Sequence, residues 1–250
     1  MWDEKNWERL LDSLKNCNSS HYLGAIIIKM DARQNDNGFY CYSVIDGQQR
    51  ITTLSILMRA LMDNLHNNTV SNALNCMLFC RHDPSKRYTA TSRGKKNAVV
   101  KLVPGFHDKN AYTALIENPE QAIKDYPSNQ LIACYKYFKE ATTTRTLATS
   151  IYKLLNNENI NFIVKISLAE NDNAQAIFDV SNGTGVSLTC ADIIKNNLFS
   201  RINEGSRLSV YRNTWEQVFD NKDYEYWTDI YNSRTNMQRR SLHRGQCRCR

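Results

Sequence analysis

Residues 44–54 read VIDGQQRITTL. A β-like run ends in Asp46-Gly47, two glutamines follow, and Arg50 stands in what reads as the first turn of a helix. That turn carries the positive end of the helix dipole and favours Asp or Glu, not Arg. Asp46 suits an N-cap, and Gly47 lets the backbone turn sharply or approach a ligand. The free N–H groups of such a terminus form an anion site. A phosphate between them and Arg50 would relieve both, and a guanidinium grips phosphate bidentately. Gln48 and Gln49 can donate and accept, so either could orient an attacking water. Asp46 could hold a divalent metal or polarise a water. The bland alternative stays open: Asp46 and Arg50 are four apart and could pair along a helix edge, with both glutamines on the surface.

Working outward, Ile51, Leu54, Met58, Leu61 and Leu65 form a stripe at helical spacing, which predicts a helix over about 48–66. Upstream, residues 39–45 (FYCYSVI) and 22–30 (YLGAIIIKM) read as strands, joined by the turn chemistry of 34–38 (QNDNG) into a hairpin. Trp7, Leu10, Leu11 and Leu14 predict a helix over 3–16. Downstream, residues 81–97 are a polar, basic connection, and 99–103 (VVKLV) suggest a short strand. Segments 112–116, 130–141 and 147–155 read as helices, and 161–168 as a strand. Residues 172–180 and 190–203 read as helices around SNGTG, and Trp215, Val218 and Phe219 mark a final helix. Strands cluster in the first 50 residues and helices follow, which argues an α+β fold.

The composition is that of a globular protein: 250 residues, 42% hydrophobic and 23% charged. No run approaches the ~20 apolar residues of a membrane span. The acidic, amphipathic start (MWDEKNWERLL) has no basic n-region and no apolar h-region, so it is not a secretory signal. Without one, the eight cysteines read as reduced thiols of a cytoplasmic protein, and their spacings match no standard zinc module. The net charge of +7 lies largely in the last 17 residues, which hold six arginines and no acid, so the body is close to +1. Such a tail either binds nucleic-acid phosphates or is a disordered end. Without apolar periodicity, 232–250 reads as the latter, beside one domain over 1–231.

VIDGQQRITTL closely resembles the hallmark of the GmrSD-type restriction endonuclease N-terminal domain family. There Asp-Gly-Gln-Gln-Arg is followed by Leu or Ile and Thr-Thr-Leu. A second run, FDVSNGTGVSLTCADIIKNNLF at 178–199, fills the family pattern with Phe178, Asp179, Asn182, Gly185, Leu188, Thr189, Asp192, Ile194, Lys195 and Asn196. Two ordered motifs this far apart make the resemblance specific. Much of the second motif has a structural reading: Asn182 and the glycines suit a tight turn, and Thr189 with Asp192 resembles a capping box.

The resemblance implies a small mixed sheet similar to the ParB/sulfiredoxin type, with helices added. It implies a module that binds and hydrolyses a nucleoside triphosphate, GTP or ATP with Mg2+, and so controls DNA cleavage in restriction or phage defence. Asp46, Gln48 and Gln49 would then be catalytic, with Asp46 also the metal ligand. Gly47, Arg50, Asn182 and Lys195 would bind the nucleotide. The family usually opens with Pro-x-Tyr-Gln-Arg-x-Tyr-x-Trp, and Trp2 corresponds to its last residue, so this chain looks clipped. Many relatives carry an HNH-type nuclease domain, sometimes on a partner chain. His21, His66, His82, His107 and His243 form no such pattern here, so this chain would not cut DNA by that chemistry alone, and an HNH-type nuclease domain or subunit in trans could be a partner. Two other readings stand beside this one: a ParB-like DNA-binding or nicking module, and an inactive truncated fragment.

Overall fold

The computed structural model describes residues 2–16, 22–34, 40–81, 98–105, 107–169, 171–172, 177, 198–199, 202, 206 and 209–220. The chain divides into two compact units, 1–178 and 179–250. In the first, α1 (Glu4–Lys15) leads into β1 (Gly24–Gln34) and β2 (Tyr40–Asp46). Then come α2 (Gln48–Leu65), α3 (Asn68–Leu78), β3 (Phe79–Arg81), β4 (Ala98–Val100), α4 (Lys109–Glu117) and α5 (Pro119–Asp125). Helices α6 (Gln130–Ala141) and α7 (Arg145–Leu155) and strand β5 (Ile163–Leu168) complete it.

The α+β expectation holds. β1 is the middle strand of a mixed sheet ordered β2-β1-β5. It pairs antiparallel with β2, Ile28 opposite Val44 and Met30 opposite Tyr42, as the hairpin reading requires. It pairs parallel with β5, Gly24 opposite Ile163 and Ile27 opposite Ile166. Parallel neighbours need a crossover connection, and here every helix from α2 to α7 lies within it. A separate ribbon pairs β3 with β4.

The core lies among the helices. Leu11, Ile56, Leu57, Leu61, Leu74, Tyr112, Leu115, Leu131, Ile132, Tyr135 and Phe138 are essentially sealed from solvent. Burying each such side chain contributes about 1.5–3 kcal/mol before chain entropy is charged against it. The single stripe expected on α2 is too narrow. Ile51 and Met58 are only half-buried, whereas Ile56, Leu57 and Ala60 are fully buried. α2 packs against α3, α6 and α7, so several of its faces are covered. A polar link ties α2 to α6: Asp63 accepts from Arg59 at 2.9 Å and from the Tyr135 hydroxyl at 2.6 Å. Burial, then the Asp63 contact, pushes the Tyr135 hydroxyl well above its ordinary range.

Helices α3 and α5 and strand β3 add to the elements read from the sequence. Among the described residues Cys76, Cys80 and Cys134 are free thiols. Burial drives the Cys134 thiol far above its usual titration range, so it is inert packing. No helix among them is long and apolar enough to cross a membrane.

In the second unit, α8 (Tyr211–Asp220) winds as a π-helix around the position expected for the final helix. Phe199 meets Tyr211 and Trp215 edge-on, ring centroids 5.8 and 5.9 Å apart. The rest of the second motif, including the expected turn and capping box, lies outside the described residues, as does the basic tail.

Candidate functional site

Five of the seven expected site residues, Asp46 to Arg50, come together where β2 hands over to α2. Asn182 and Lys195 lie outside the described residues. The handover differs from the sequence reading in one respect. Asp46 is not the N-cap: it still belongs to the sheet ladder, opposite Ile27. Gly47 is the N-cap, in the left-handed region at φ 88° and ψ 11°. Asp46 begins one residue too early to reach down the helix. Its carboxylate accepts instead from the N–H of Gly47, at 2.7 Å.

Gly47 carries no side chain, so no side chain caps the first turn of α2. The first intrahelical bond runs from Ile51 N–H to the Gly47 carbonyl, 3.0 Å. The N–H groups before it, on Gln48, Gln49 and Arg50, are the orphan donors that every helix start exposes. Position 47 also has no room for a larger residue. A Cβ there would lie 2.7 Å from Ile26 Cγ2 and 3.1 Å from the Ala25 carbonyl oxygen.

The same strand receives Arg50. Its Nη1 donates to the carbonyl of Ala25, so the side chain folds back from the helix onto the start of β1. This is how the charge is accommodated: a backbone carbonyl answers it, rather than the i,i+4 carboxylate that the spacing suggested. Gly24 makes the approach fit. A Cβ on Gly24 would stand 2.6 Å from both Cζ and Nη2 of Arg50 and 2.9 Å from Nε. With Cζ as near as either nitrogen, that point lies over the face of the guanidinium. The plane therefore rests flat on the glycine, and its Nε–Nη2 edge keeps its donors. Gly24 itself adopts φ 119°, which L side chains rarely take.

The glutamines point opposite ends of their amides at the protein. Gln48 donates from Nε2 to the Val44 carbonyl at 2.9 Å. Gln49 accepts on Oε1 from the Trp2 N–H at 2.8 Å. The Trp2 carbonyl in turn accepts from Nε2 of Gln130, the first residue of α6, at 3.1 Å. Gly24, Ala25 and Gln130 thus join the site without having been singled out in the sequence, and Trp2, marked there as the last residue of the family's opening segment, joins it through its backbone. Gly24 had a signal, an isolated glycine in a strand pattern, which marks close approach of another group. Ala25 had none, because it contributes only its backbone.

A metal at this point would find one carboxylate, Asp46, and among the described residues no cluster of three His, Cys, Asp or Glu side chains. Among the described residues the site therefore holds no all-protein cage. It suits Mg2+ carried on phosphates, which takes one or two carboxylates and keeps water for the rest.

The family described as GmrSD restriction endonuclease, N-terminal domain, matches residues 1–199, and the chain belongs to that family. Membership makes it a component of a restriction or phage-defence system. A search of individually curated proteins gave no match.

Proposed function

We propose that this GmrSD N-terminal domain binds the phosphates of a nucleoside triphosphate, GTP or ATP with Mg2+, at the start of α2. Occupancy and hydrolysis there would govern DNA cleavage by an HNH-type nuclease domain or subunit. The observation that carries the reading is the start of α2: an N-cap without a side chain, set beside a guanidinium whose Nε–Nη2 edge keeps its donors. The carbonyls gathered there, of Ala25, Val44, Trp2 and Gly47, are each already engaged by a donor of the protein, while the first-turn N–H groups and the Nε–Nη2 edge of Arg50 remain as donors, which matches a ligand rich in acceptor oxygens. Asp46 is the carboxylate that meets Mg2+, and bound Mg2+ would neutralise phosphate charge. Gln48 presents its oxygen, which suits holding a water. Asn182 and Lys195 enter as further phosphate contacts on resemblance alone.

Thermal unfolding with and without Mg-GTP or Mg-ATP tests this. Ligand at about 100 times its dissociation constant adds about 2.7 kcal/mol to the folded state. The parent should shift upward and Arg50→Ala should not. A parent that ignores nucleotide but binds DNA with a steep salt dependence would overturn the proposal in favour of a ParB-like DNA module. A folded parent that binds neither would identify an inactive fragment.

A further inference from the structure

We infer that Gln130 is a positioning residue for the site on α2. Acting through the Trp2 peptide, it holds Gln49 so that this glutamine offers its amide N–H groups, not its oxygen, to a phosphate. The inference rests on the nucleotide reading and assigns one of its contacts. A carboxamide carries an acceptor at one end and two donors at the other. Whichever end the protein engages decides which end meets a ligand.

For Gln49 the protein engages the oxygen. The Trp2 N–H donates to Oε1 at 2.8 Å, and Nε2 has no hydrogen-bond partner among the described residues. The chain is fixed from its far end: Nε2 of Gln130 donates to the Trp2 carbonyl at 3.1 Å. Gln130 sits in the first turn of α6, whose own N-cap, Asn129, accepts from the Leu131 N–H at 2.8 Å. α6 packs on α2, so the bridge Gln130–Trp2–Gln49 spans two helices already locked by their cores. Gln48 shows the contrary arrangement. Its Nε2 is engaged by the Val44 carbonyl, and its oxygen has no hydrogen-bond partner among the described residues. The adjacent glutamines are therefore unequal: Gln49 joins Arg50 and the helix N–H groups as a phosphate donor, and Gln48 keeps the acceptor.

Equilibrium binding of Mg-GTP and Mg-ATP, with melting of the free protein alongside, tests this in the full chain. Gln49→Glu still accepts from Trp2 but has no amide to donate. It should weaken nucleotide binding about tenfold or more while the free protein melts as the parent does. Gln48→Glu places the same charge one residue away and should weaken binding less. Gln130→Glu removes the donor to Trp2 and should weaken binding several-fold, whereas Gln130→Arg restores a donor and should restore binding. The inference is overturned if the parent binds and Gln49→Glu binds equally well. It is overturned too if Gln48→Glu is as damaging as Gln49→Glu, or if Gln130→Glu and Gln130→Arg behave alike. A parent that binds neither nucleotide removes the underlying reading instead.

Discussion

Helices α2 and α3 follow one another in the chain and begin in opposite ways. α3 starts at Asn67, whose side-chain oxygen accepts from the N–H groups of Thr69 and Val70 at 2.9 and 3.2 Å. Its first turn is satisfied from within. α2 starts at Gly47, in the left-handed region, with nothing on the side chain to accept. Around it the residues that could have capped look elsewhere: Asp46 to the Gly47 N–H, Gln48 to Val44, Gln49 to Trp2. A helix start closed by its own Asn is stable and inert. A start left open beside an arginine costs stability and leaves its donors available to an outside oxygen.

The sharpest way to break the contrast is at Gly47. Gly47→Val would force a β-branched residue into a left-handed conformation and drive its Cβ toward Ile26. Strained backbone and overpacking together should lower stability by about 2–5 kcal/mol, read as a fall in the denaturant midpoint. An unchanged midpoint would mean that the left-handed turn is not needed.

The buried stretch of α2 gives the next largest effect. Desolvation pushes the Tyr112 hydroxyl up to about 12, opposed in part by its hydrogen bond with Ser55 of α2. The folded state therefore holds this proton more tightly than the unfolded chain does. The associated stability is complete below about pH 10 and is lost as pH rises toward about 12, a change of up to about 3 kcal/mol. Tyr112→Phe should flatten that limb of the stability–pH curve. A parent curve level from pH 9 to 12 would contradict it.

The smallest effect is at the closed terminus. Asn67→Ala should cost about 1 kcal/mol and leave the response to Mg-nucleotide unchanged, because α3 offers nothing to a phosphate. A lost nucleotide shift in this variant would erase the distinction between the two starts.

What the sequence made legible follows from periodicity and local chemistry. The α2 stripe, the hairpin and the helices at 130–141 and 147–155 announce themselves, because spacing is recorded residue by residue. α5 was readable in principle, since Asn118-Pro119 is a cap followed by a first-turn proline. β3, three residues long, carries too little pattern to separate it from the end of α3. The site was legible as a cluster and not as a geometry. That Arg50 is answered by a carbonyl on another strand could not be read, because every residue has a carbonyl. The boundary at Asp46 was set one residue early, because good capping chemistry does not reveal where a sheet ladder releases the chain.

The parallel pairing of β1 with β5 has a kinetic consequence. Gly24 lies opposite Ile163, 139 residues later in the chain. The strand that cradles Arg50 is thus completed only by a partner made after all six helices from α2 to α7. Contacts of such sequence separation form late, once intervening segments have shortened the effective loop. During synthesis the helices can assemble while β1 still lacks one neighbour, so competence for a ligand at the start of α2 would arrive at the end of folding rather than with the helix itself.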